Sequence, residues 1–105
     1  MGWAEDIRAR YPDWGTDGAL VQWNEARERI RIGQSVRGSV IARAPFGVWL
    51  DIEVGHPALL LVPEMRGAKE HRITFDDYPV IGAVVEAHIV ALGDRGEIAL
   101  SQNDT

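Results

Sequence analysis

The sequence predicts a mainly β domain of five strands behind an N-terminal helical extension. Three observations carry this prediction. The hydrophobic period changes from 3.6 to 2 near Gln34. Glycine- and proline-bearing turns then separate short alternating runs along the rest of the chain. Finally, 105 residues, 46% hydrophobic and 26% charged, suffice for one packed core but not two. Residues 1–31 read as the extension and residues 32–103 as the β domain.

In the extension, Trp3, Ile7 and Tyr11 recur at spacings of four and share one helix face, which Pro12 ends. The stretch Y-P-D-W-G-T-D-G (residues 11–18) is turn chemistry. A second helix starts with Thr16 or Asp17 as its cap and runs to about Ile30. On it Leu20, Trp23 and Ile30 share a face, while Glu25 and Arg29 form an i,i+4 pair on the solvent side. Apolar residues at helical spacing mark a buried face, so Trp3, Trp14 and Trp23 are expected in the core, sealing the β domain.

From Gln34 the alternation takes over. Val36, Gly38 and Val40 face inward in the first strand, opposite Arg37, Ser39 and Ile41. In the second, Val48, Leu50 and Ile52 face the core and leave Trp49 and Asp51 outside. Gly55-His56-Pro57 turns into the third strand, where Leu60 and Val62 point inward and Leu59 and Leu61 away. Residues 65–79 form a long polar connection containing Gly67. Val85, Ala87 and Ile89 face the core in the fourth strand. Gly93-Asp94-Arg95-Gly96 makes a hairpin turn to the fifth, with Ile98 and Leu100 inward.

Composition narrows the function classes. Without cysteine, neither a disulfide framework nor a thiolate metal site is available. The longest apolar stretch, residues 58–63, is far too short to span a bilayer, so no membrane role is expected. The N-terminal M-G-W-A-E-D carries acids where a signal peptide carries a basic and then an apolar run, which predicts a cytoplasmic protein. The net charge is −5, from 11 Lys and Arg against 16 Asp and Glu. From residue 35 onward, six basic residues face ten acidic ones, so this part of the chain carries −4. Phosphate contacts dominate nucleic-acid affinity, so a nucleic acid would meet net repulsion here unless a local basic stripe forms.

Several segments together carry a family resemblance. They are G-Q-S-V-R-G-S-V-I (residues 33–41), P-F-G-V-W-L-D-I (45–52), A-L-L-L-V-P-E-M (58–65), V-I-G-A-V-V-E-A-H-I-V (80–90) and E-I-A-L-S (97–101). In order, spacing and turn positions they resemble the S1-type RNA-binding domain. That family reads V-x-G-x-V, F-G-x-F-V-D, G-L-V-H-I-S-E, V-G-x-x-V-x-V-K-V and R-I-S-L-S. The resemblance covers about two thirds of the chain and implies a five-stranded antiparallel OB barrel. Val36, Val40, Val48, Leu50, Ile52, Leu60, Val62, Ile89, Ile98 and Leu100 are its expected core.

An OB barrel holds single strands by stacking bases on exposed aromatics while basic groups track the backbone. The resemblance puts Phe46 and Trp49 at the two Phe positions of F-G-x-F, and alternation alone also places Trp49 outside. Arg37 and Arg43 share the outward parity of the first strand, and Arg95 sits in the last turn; all three are candidate phosphate contacts. The chain departs from the family where Leu61 replaces its His, Pro63 its Ser, His88 its Lys and Glu97 its Arg. Leu61 and Trp49 would then form an apolar patch, and Glu97 would repel a phosphate. The reading is a single-stranded RNA-binding module with weak affinity, its site comprising Phe46, Trp49, Arg37, Arg43, Leu61, His88 and Arg95. The rival is a protein-interaction module using the Trp49/Leu61 face.

Catalysis finds no support in the sequence. His56, His71 and His88 lie far apart, without the short spacing of a metal site, and are expected to be solvated. Asp76-Asp77 before Tyr78-Pro79 fits a turn or cap. Ser35, Ser39 and Ser101 have no positioned His–acid pair, and Gly93 and Gly96 fit the hairpin rather than a phosphate cradle. No cofactor, no metal and no enzymatic activity are expected.

Overall fold

The computed structural model describes residues 2–103. Helix α1 spans Trp3–Arg10 and α2 spans Asp17–Ala26. Thr16 is the N-cap of α2, its hydroxyl accepting from the Ala19 N–H. A 3₁₀ turn, Arg27–Arg29, carries the chain to Ile30. Glu25 and Arg29 approach to 3.9 Å as an exposed pair, an arrangement that contributes little to stability.

Five strands follow: β1 (Ser35–Ala44), β2 (Gly47–Asp51), β3 (Pro57–Leu61), β4 (Val84–Leu92) and β5 (Ile98–Ser101). They close into a barrel in the order β1-β2-β3-β5-β4. Four of the pairings are antiparallel, whereas β3 and β5 run parallel. The expected core residues Val40, Val48, Leu50, Ile52, Leu60, Ile89, Ile98 and Leu100 are buried, and Val36 and Val62 are half-buried against them. Gly38 has a steric purpose: a Cβ there would collide with the Asp51 carbonyl, so a glycine lets β1 and β2 cross closely. In the long connection, Thr74 and Asp77 form a capping box around the turn Phe75–Asp77, which accounts for the second of the adjacent acids.

The two ends of the barrel are closed by different devices. Trp23, fully buried, plugs the end that carries the β2–β3 and β4–β5 turns. Its Nε1 donates to the Gly93 carbonyl at 2.8 Å, and its ring meets His56 edge-on at 5.0 Å. The expectation of a solvated His56 is therefore corrected: it is 5% exposed, and burial pushes its pKa down, so it stays neutral to lower pH. At the other end the Tyr78 hydroxyl donates to the Pro45 carbonyl in the β1–β2 turn.

Trp3 and Trp14 need a second correction, because neither joins Trp23 in the barrel core. Both are half-buried outside the barrel. The reason is visible in β1, against which α1 lies. Ile7, Ala42 and Ala44 are fully buried yet separate from the main core, so they form a thin outer layer between helix and strand. Small alanines on that surface allow the helix to approach closely.

Candidate nucleic-acid interface

β2 carries the centre of the site. Leu50 is buried inside the barrel, so its neighbour Trp49 points out, paired with Ala42 on β1 and Leu59 on β3. Phe46 stands in the β1–β2 turn and is 38% exposed. Leu61, 39% exposed, pairs with Gly47, so Leu59 rather than Leu61 lies directly opposite Trp49. Leu61 still shares the outer face, one pleat further along β3.

The aromatic platform is covered. Trp3 stacks on Trp49 with the planes 16° apart and the centroids 6.0 Å apart. The same indole meets Phe46 edge-on at 5.1 Å. Trp14 sets its edge against Trp49 at 5.9 Å and against Trp3 at 6.3 Å. Aromatic pairs of this kind contribute about 0.5–1.5 kcal/mol each beyond area burial. Arg8 lies over the Trp14 ring at 5.3 Å, so the extension also brings a cation to this face. Beneath the cover, Trp49 Nε1 is buried without an acceptor among the described residues.

A polar latch holds the far end of α1. Arg10 Nε donates to Asp51 Oδ2 at 2.8 Å, and the Tyr11 hydroxyl donates to Oδ1 at 2.6 Å. The Glu53 N–H completes the set at 2.9 Å, with Glu53 itself at a positive φ of 63°. Burial pushes the Asp51 carboxyl up, but the hydrogen bonds from Tyr11 and the Glu53 N–H, together with Arg10, outweigh it and hold the pKa below the usual carboxylate range. Burial and the same carboxylate push the Tyr11 hydroxyl well above its ordinary value. A folded-state pKa below the unfolded one means that the latch contributes fully above about pH 4 and is lost as the pH falls through the folded value. Protection of the α1 amides from hydrogen exchange should therefore persist from neutral pH to about pH 4 and decline below it. Asp51→Asn should flatten that acid dependence.

The remaining expected contacts scatter around the barrel. A bulge at Ile41 shifts the β1 register between Val40 and Ala42. Beyond it Ala42 takes the outer side with Trp49, and Arg43 pairs with Val48. The expectation that Arg43 shares Arg37's outward parity is thus corrected. Arg43 instead lies 4.3 Å over the Phe75 ring and donates Nη2 to the Phe75 carbonyl, at the end closed by Tyr78. Arg37 is exposed and pairs with Glu86 on β4, beyond the last β1–β2 partner at Ser39. His88 pairs with Ser35 and Ser101 and lines a shallow depression with Arg66, away from Trp49. Arg95 borders a small crevice that also includes Trp14, and the Glu97 carboxylate accepts from the Arg95 N–H at 3.1 Å. The structure thus brings Phe46, Trp49 and Leu61 together and leaves Arg37, Arg43, His88 and Arg95 peripheral.

Sequence reasoning missed Trp3, Trp14, Arg8 and the Asp51 latch as parts of this site. A partial signal was present: an outward Trp49 and the apolar helix face of Trp3, Ile7 and Tyr11 are two surfaces that each need covering.

No family model matches the chain. The small ribosomal subunit protein bS1 of Chlamydia trachomatis is 29% identical over 86 residues, covering 79% of this chain and 15% of that protein. The chain therefore spans about a seventh of that curated relative. The solution structure of GSP13 from Bacillus subtilis superposes with a TM-score of 0.57 at 19% identity, covering 69% of this chain and 55% of that one. Mycoplasma genitalium RNase R, solved in complex with ribose methylated single-stranded RNA, gives 0.56 at 19% identity over 79% of this chain and 14% of its own. In sequence and in fold the chain is similar to the S1-type OB domain.

Proposed function

We propose that this S1-type barrel binds single-stranded RNA weakly, on the outer face of β2 and β3, with Phe46 and Trp49 as stacking surfaces. The observation that carries the reading is the convergence of these two aromatics, and Leu61, on one outer face of a barrel similar to S1-type domains. Bases stack on such platforms with little regard to sequence, because every base has a π-face. Residues 32–103 supply the face and residues 1–31 its cover. The reading assigns the chain binding and no reaction.

Charge sets the expected strength. Arg43 is committed to Phe75, Arg37 sits across from Glu86, and Glu97 puts a carboxylate beside Arg95. Few phosphates can then be neutralised, and each contact on a single strand contributes only about 0.7 to the slope of log affinity against log salt. A fluorescein-labelled single-stranded decauridylate should therefore bind measurably at low salt, with a slope of roughly one to two. Glu97→Arg should strengthen binding and steepen the slope by about 0.7. Absence of binding at low salt would sink the reading, and loss of the β2–β3 face to a captured protein partner would replace it.

A further inference from the structure

We propose that α1 is an intramolecular competitor of RNA: Trp3 occupies the position on Trp49 where a nucleobase would stack. This inference rests on the RNA-binding reading above and names how that same site is controlled. An indole is a flat bicyclic heteroaromatic of about purine size. Here one such ring contacts both platform residues, parallel to Trp49 and edge-on to Phe46. A base cannot share that face of Trp49 with it. Trp14 closes the flank, leaving Phe46 and Leu61 as the open margin.

The energetics suit a reversible cover. A helix of eight residues is marginal by itself, so α1 holds its shape only while docked. Its docking rests on three separable contacts: Trp3 on the platform, Ile7 against the alanines of β1, and Arg10 with Tyr11 on Asp51. Residues 11–16 tether it to α2, which Trp23 anchors in the barrel core. Such a short tether gives α1 a high effective concentration at the face. The docked state also carries an internal cost, since Trp49 Nε1 is buried there without an acceptor among the described residues, and undocking returns it to solvent. If only the undocked fraction is competent, the apparent RNA dissociation constant rises in inverse proportion to that fraction.

The test uses the whole chain and the labelled decauridylate. Trp3→Ala should bind roughly tenfold more tightly than the wild type, a difference of about 1.4 kcal/mol. Tyr11→Phe loosens the latch without changing charge or the aromatic face, and should bind severalfold more tightly. Adding RNA to the wild type should accelerate hydrogen exchange across residues 3–10. Weaker binding by Trp3→Ala, with slower exchange in α1 on adding RNA, would overturn the proposal and make α1 a wall of the site. Equal affinity of all three proteins with unchanged exchange would overturn it while leaving the RNA reading intact. No binding by any of them at low salt would remove the RNA reading and this inference with it. Melting curves of both variants guard against a fold defect, and Tyr11→Phe carries the test should Trp3→Ala disturb the helix.

Discussion

Trp23→Ala should be the most damaging single substitution in the chain. The side chain is fully buried at one end of the barrel, packed with the core and hydrogen-bonded to Gly93. Truncating a buried Trp costs about 3–5 kcal/mol, from lost transfer energy and the cavity left behind. That approaches the whole stability of a small domain, about 5–15 kcal/mol. Each kcal/mol moves the melting temperature of a domain this size by roughly 4–8 °C, so thermal unfolding should shift by tens of degrees or the variant should fail to fold. Trp23→Phe separates the two contributions: it keeps most of the packing and gives up the bond to Gly93, a loss of about 1 kcal/mol. Removing residues 1–31 should act in the same direction as Trp23→Ala. If Trp23→Ala melted within a few degrees of the wild type, α2 would be an appendage rather than part of the core.

The second large effect falls on binding. Trp49→Ala should weaken affinity for single-stranded RNA by about 1–3 kcal/mol, the usual worth of one base–aromatic stack. The barrel should remain folded, because Trp49 lies outside it and contributes nothing to the core cluster. The same substitution removes the seat of Trp3, so α1 amides should exchange faster in the free variant. A cycle with Trp3→Ala is more telling than either variant alone. Residues in direct contact are not additive, so Trp3→Ala should tighten binding when Trp49 is present and have little effect when it is absent. Unchanged RNA affinity in Trp49→Ala would move the stacking surface elsewhere, to Phe46 alone or away from β2 altogether.

The period-2 alternation from Gln34 to Ser101 was enough to give the strands, their inward residues and the outward position of Trp49. Side-chain direction in a strand follows from the pleat and needs no knowledge of neighbours. The helices were legible for a similar reason, from spacings of four, the Thr16 cap and the Pro12 stop. The Ile41 bulge was not legible. It inserts one residue into a pairing that depends on both strands, and that single residue carried Arg43 from the Trp49 side to the Phe75 side. The buried state of His56 depended equally on Trp23, more than thirty residues earlier in the chain. Helical spacing showed that Trp3 belongs to an apolar face but not which surface that face meets. Apart from the β1 residues beyond that bulge, the sequence by itself therefore determined which side chains each element presents, because local backbone geometry dictates direction. Only the tertiary structure decided that α1 folds back over β2 and that Asp51 latches it there. That choice rests on the complementarity of two surfaces some forty residues apart, the distance in sequence between Arg10 and Asp51.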